Sequence, residues 1–161
     1  VKMFDENSLM EQLNCSKEQF NELLKNYSYI PHSNLEKSLV YELTKKCTNL
    51  ALDRHAGDLR KVFTSSGQKI IPEGKDLTQI ENIIFTGGAL VNLNDTEKIV
   101  QEYLKRNQTK LLPSKNVVIY KDYDYIMASM GVLSLKYPEE SMKLLKKSLR
   151  IEWFYVSKSD N

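Results

Sequence analysis

Residues 82–93 read Asn-Ile-Ile-Phe-Thr-Gly-Gly-Ala-Leu-Val-Asn-Leu, "NIIFTGGALVNL", and their reading decides the fold. "NIIFT" is a short continuous apolar run of the kind found in strands buried on both faces. It ends in Gly87 and Gly88, and a helical pattern follows. A strand, a glycine pair and then a helix place backbone N–H groups at the carboxyl edge of a sheet, where open α/β sheets bind their ligands. Glycine lacks the Cβ that would block close approach of a phosphate or nucleoside. A plain structural turn is the competing reading, since glycine serves such turns often.

Working outward, the alternation of strand and helix continues. "NVVIY" at 116–120 reads as a second strand, and Asp122 or Asp124 caps a helix running to about Lys136. Pro138 occupies a first helical position, with Glu139 and Glu140 behind it and Lys143, Lys146, Lys147 and Arg150 toward the far end. Acid first and base last is the order the helix dipole favours. Asn94-Asp-Thr-Glu97 opens a helix carrying Ile99, Val100, Tyr103 and Leu104. Before residue 82, "LRKVFT" and "QKIIP" flank Ser65-Ser66-Gly67 and read as a β-hairpin closed by Pro72 and Gly74. A helical turn is expected over Leu77–Ile80.

The first third is helical. Ser8-Leu-Met-Glu11, Ser16-Lys-Glu-Gln19 and Ser33-Asn-Leu-Glu36 are three capping-box patterns. Pro31 closes the second helical region. The third helix is predicted from Asn34 to His55, stopping at Gly57 as a C-terminal glycine. Its apolar face is Leu35, Leu39, Leu43, Cys47, Leu50 and Ala51, at spacings of three and four. The predicted sheet has about four strands, covered by helices in three layers.

Composition bounds the function. The 161 residues suit one domain that buries on the order of 70% of its unfolded surface. With 23 basic and 21 acidic residues the net charge is +2, no footprint for nucleic acid. Cys15 and Cys47 share no metal or redox spacing and read as small buried residues of a reduced, cytoplasmic compartment, with one disulfide as the alternative. No apolar run is long enough to span a membrane, and no signal peptide is expected. The chain opens at Val1 directly into polar helical sequence, which suggests an excised piece of something longer.

Other candidate chemistry gives way to structural readings. "GQKIIPEGKD" separates Gly67 and Gly74 by six residues, where a phosphate loop has four. Asp76 follows Lys75 where that loop needs Ser or Thr, and Pro72 removes an N–H. His32 and His55 have no partner at metal spacing, and His55 suits a helix C-terminus. Asp122/Asp124 and Glu139/Glu140 are explained by capping. No catalytic triad, catalytic residue or metal site is assigned.

"IIFTGGAL" resembles the adenosine-binding segment of the actin, sugar kinase and Hsp70-like ATPase superfamily. "DYDYIMASMGVL", with Ala128, Ser129 and Gly131, resembles the helix that follows in the same half of such ATPases. A closer resemblance joins "ALDRHAGDLRKVFTSSG", "EGKDLTQIENIIFTGGAL", "LLPSKNVVIYKDYDYIMASMGVLS" and "YPEESMKLLKKSL". Together they resemble the C-terminal part of the accessory protein of glutamate (methylaspartate) mutase, a MutL type unrelated to the mismatch-repair protein. The resemblance runs from about Leu35 to Leu149.

It implies an α/β fold, the C-terminal half of an actin-like (ribonuclease H-like) ATPase, with helices packed on a short mixed sheet. By its division, residues 1–33 are a preceding helical segment, 34–156 the ATPase subdomain and 157–161 a frayed tail. It also implies an ATPase that reactivates or supports the adenosylcobalamin-dependent mutase, its subunits being the partners. Gly87 and Gly88 would then lie under the adenosine of ATP or ADP, flanked by Thr86 and Ala89, and Asp124 or Tyr125 would reach the nucleoside from the next helix. Magnesium would belong to two acidic, glycine-containing hairpins that these 161 residues lack, so the chain by itself is expected to be inactive. The alternatives are a small-molecule kinase of the same superfamily and a non-enzymatic interaction module that uses the long helix as its partner face.

Overall fold

The computed structural model describes residues 4–26, 30–107 and 109–151; the tail expected at 157–161 lies outside them. The chain divides into two compact units, one of residues 1–79 with 93–115 and one of 80–92 with 116–161.

In the first unit, α1 (Glu6–Leu13), α2 (Lys17–Lys25) and α3 (Asn34–His55) are cut by short polar caps. Ser16 and Gln19 form the expected reciprocal capping box. At α3 the Ser33 hydroxyl accepts from the Glu36 N–H, while the Glu36 carboxylate accepts from the N–H of His32. That backbone hydrogen bond holds the Glu36 carboxyl below its ordinary range. The Ser8 box does not form: Asp5 caps α1 and Ser8 lies inside the helix. An acidic side chain at the earlier position satisfies the free N–H groups first. Leu9, Leu13, Phe20, Leu23 and Leu39 form a buried cluster, with Cys15, Leu35 and Leu43 packed against it.

The predicted apolar face of α3 therefore holds at Leu35, Leu39, Leu43 and the half-buried Leu50, and fails at two positions. Cys47 and Ala51 are exposed, and Cys15 is half-buried, so neither cysteine is a fully buried residue; both are free thiols. α3 also packs against α5 (Thr96–Arg106), whose Ile99, Val100, Tyr103 and Leu104 are buried as the spacing predicts. Burial pushes the Tyr103 phenol up to about 12, helped by the Asp53 carboxylate, to which its hydroxyl donates at 3.2 Å.

After α3 the chain turns back as a hairpin, β1 (Asp58–Thr64) antiparallel to β2 (Gly67–Glu73), with Ser65-Ser66 as the turn. Leu77–Ile80 forms no helix, only a turn at Thr78-Gln79. Gly57 is not a left-handed C-cap: Ala56 ends α3 in extended backbone. Glycine is needed at 57 because an added Cβ would lie 2.5 Å from the Glu73 carbonyl oxygen and 2.8 Å from the Gly74 carbonyl carbon.

The second unit holds β3 (Asn82–Phe85), α4 (Gly88–Asn92), β4 (Val118–Lys121), α6 (Met127–Leu133) and α7 (Pro138–Ser148). β3 and β4 pair in parallel, Asn82 opposite Val118 and Phe85 opposite Lys121. The fold is α/β, with four strands among the described residues, the number expected. They form an antiparallel pair and a separate parallel pair, however, rather than one central sheet. β3 is consequently not buried on both faces. Phe85 and Lys121 are buried and Ile83 and Ile119 half-buried on one face, whereas Ile84 and Val118 are exposed on the other.

Candidate functional site

Parallel pairing brings the segments after β3 and β4 to one edge, because the carboxyl ends of adjacent parallel strands lie side by side. Thr86-Gly87-Gly88 leave β3 there, and Asp122–Ile126 leave β4. The ladder continues one step past β4, with the Asp122 N–H donating to the Phe85 carbonyl at 2.9 Å.

The two glycines do different work. Gly87 has φ +99°, outside the range L-residues adopt readily. Its carbonyl accepts from the Val91 N–H at 3.0 Å and starts α4. Gly88 lies within α4 at ordinary φ, and a Cβ added there would meet nothing nearer than the Asn92 side-chain nitrogen at 3.8 Å. The fold requires glycine at 87 and makes no such demand at 88. Thr86, Gly88 and Ala89 are exposed at this edge. With only five residues, α4 carries too few aligned peptides for a substantial dipole, so the anion-binding side of the sequence argument weakens here.

The segment after β4 is organised by Asp122, whose exposure is 0%. One carboxylate oxygen accepts from the Ser148 hydroxyl and, at 3.2 Å, from the Ile126 N–H. The other accepts from the Met127 N–H at 2.8 Å and the Thr86 hydroxyl at 3.4 Å. Four donors fill the acceptor capacity of a carboxylate. Burial pushes the Asp122 carboxyl up, but the bonds from Ser148, Met127, Ile126 and Thr86 together outweigh it and hold the group below its ordinary value. Ser148 also accepts from the Asp124 N–H at 3.0 Å, tying the end of α7 to the same segment.

Asp124 and Tyr125 both sit on this segment and are exposed. Tyr125 stands out at 64% exposure with φ +55°, a conformation few bulky residues take, held by its N–H bond to the Asp122 carbonyl at 3.0 Å. Beside it, the Arg150 guanidinium stacks over Tyr123, 3.7 Å from the ring centroid.

Neither Asp122 nor Asp124 is the N-cap of α6, which is Ile126 with no side-chain cap bond; Asp122 reaches the Ile126 and Met127 N–H groups from four residues earlier, and the helix is shorter than predicted. The reading of Asp122 as a simple cap missed its bonds to Thr86 and Ser148. Ser148 was not singled out at all; its signal was the pair Ser141 and Ser148, small residues seven apart on one face of a lysine-rich helix, both buried. Of the other candidates, His55 meets the Lys75 amine at 3.4 Å, and His32 sits at the α3 cap. Among the described residues no group of three His, Cys, Asp or Glu is placed to hold a metal ion, and no helix is long and apolar enough to cross a membrane.

These features define an α/β protein with its candidate site at the carboxyl edge of a parallel strand pair. The chain matches the family model "MutL protein" over residues 1–149 and belongs to that family. It is 29% identical over 122 residues to Protein MutL of Clostridium tetanomorphum, a match covering 74% of this chain and 26% of that protein. The chain thus spans about a quarter of the length of the curated relative it matches. No solved structure matches it.

Proposed function

We propose that this chain is the nucleoside-binding part of an actin-like ATPase that supports or reactivates adenosylcobalamin-dependent glutamate mutase, with the mutase subunits as its partners. The observation that carries the nucleotide reading is Gly88. It is an exposed glycine whose backbone and surroundings leave room for a side chain, next to a glycine that the turn does require. A residue kept bare without a folding reason fits close approach of a flat ligand. The exposed Tyr125 on the adjacent segment supplies an aromatic face of the kind that packs against a base. Asp124 lies beside it as a polar partner, and Thr86 and Ala89 border the glycines.

In this reading the chain's own residues take the nucleoside of ATP or ADP. Thr86–Ala89 present bare backbone to it, and the Asp122-anchored segment presents Tyr125. Magnesium would supply charge neutralisation at the phosphates, and these residues are not assigned to hold it. Opening and closing around the nucleotide would couple to binding and release of the mutase. The mutase assignment rests on membership of the MutL family and on the sequence resemblance. The localisation that goes with this reading is cytoplasmic.

The test is calorimetric titration of the natural protein with ADP, before and after Gly88→Ala. Loss of ADP binding with no fall in the melt is the expected result. Unchanged ADP affinity in the variant rejects the nucleoside reading of this edge. For the mutase, co-sedimentation with purified glutamate mutase, with and without ATP, is expected to show nucleotide-dependent association; its absence under both conditions rejects the partnership.

A further inference from the structure

The hydrogen-bond polarity at Asp122 has a consequence for selectivity at this edge. Its carboxyl is held below the ordinary carboxylate range, so near neutral pH it is ionised and has no hydrogen to give. The hydrogen between Thr86 and Asp122 must therefore come from Thr86. A hydroxyl has one hydrogen, and once that is committed the oxygen can only accept. Ser148 is in the same condition: it donates to Asp122 and already accepts from the Asp124 N–H. Thr86, by contrast, is exposed, beside Gly87 and Gly88.

We propose that Asp122 is a positioning residue for selectivity, holding the Thr86 hydroxyl as an acceptor so that this edge prefers a nucleoside presenting a hydrogen-bond donor to it. Two groups on an adenosine nucleotide have that chemistry, the ribose hydroxyls and the exocyclic amine. The inference rests on the nucleoside reading above and adds to it the polarity of the contact.

The experiment compares ADP, 2′-deoxy-ADP, 3′-deoxy-ADP and IDP by calorimetry, in the natural protein and in two variants. Thr86→Val keeps the side-chain shape and removes only the longest of the four bonds to Asp122, so the fold is retained. Asp122→Ala removes the acceptor and frees the Thr86 hydrogen. In the unaltered protein one analogue, the one lacking the recognised donor, is expected to bind about tenfold more weakly than ADP, the worth of one hydrogen bond. Loss with a deoxy analogue assigns the ribose, and loss with IDP assigns the amine.

In Thr86→Val, ADP is expected to fall to the level of that analogue while the other nucleotides keep their ranking. In folded Asp122→Ala the discrimination is expected to shrink, an effect that loss of stability alone does not produce. Equal affinity for all four nucleotides in the unaltered protein, or discrimination that persists in Thr86→Val, overturns the inference and leaves the nucleoside reading standing. Failure of the unaltered protein to bind ADP overturns both.

Discussion

Substituting alanine at Gly87 and at Gly88, one position apart, should have opposite effects on stability. At Gly87 the strain is purely conformational: φ is +99° and an added Cβ would meet nothing within 4 Å. Alanine there must either take a sparsely populated conformation, at about 1–3 kcal/mol, or rotate the backbone and break the Gly87 carbonyl bond that starts α4. At Gly88 the backbone is helical and the nearest atom is a comfortable 3.8 Å away. Alanine there removes backbone freedom from the unfolded chain and adds helix propensity, a gain of up to about 0.5–1 kcal/mol. The two single variants should therefore differ by roughly 1.5–4 kcal/mol in urea melts, with Gly87→Ala the weaker. ADP titration then reads the second axis, in which Gly88→Ala loses the ligand while keeping the fold. Destabilisation by Gly88→Ala comparable to that of Gly87→Ala would refute the division of labour between the two glycines.

Further expectations concern the two cores and their titrating groups. Leu39→Ala removes a side chain that is 1% exposed in the α1–α3 cluster and should cost about 2–5 kcal/mol in urea melts; Leu43→Ala, half-buried, should cost less. Asp122 has a folded value below its unfolded one. Its contribution is present above the ordinary carboxylate value and is lost as pH falls through the lower, folded one. Asp122→Asn should flatten that acid limb in a pH series of melts. Tyr103 is shifted the other way, from 10 to about 12. The stability it contributes is complete below pH 10 and is lost as pH rises toward 12, so Tyr103→Phe should remove this alkaline loss, seen by melts across that range.

The sequence by itself determined what is local. The start of α3 follows from the Ser33 hydroxyl and the Glu36 carboxylate. The hairpin follows from two β-prone runs across a two-residue link, and α7 from a proline start with acids before bases. These features set hydrogen bonds between residues a few positions apart, so their signal lies within one window of sequence. The glycine pair was legible as a special turn for the same reason, though not which glycine was special, because φ belongs to the folded path rather than to the residue type.

Tertiary structure decided what depends on distant partners. Cys47 and Ala51 keep the helical spacing of a buried face, but among the described residues they stay exposed. Ile84 sits in a run that reads as fully buried, yet its face of the parallel pair stays exposed among the described residues. Asp122 looks like one more capping acid until Thr86, 36 residues earlier, and Ser148, 26 residues later, arrive at its two oxygens. Burial of a carboxylate is unfavourable unless donors come with it. Those donors come from separate elements that only the packed fold brings together, which is why local sequence could place Asp122 at a helix start and not at the centre of the candidate site.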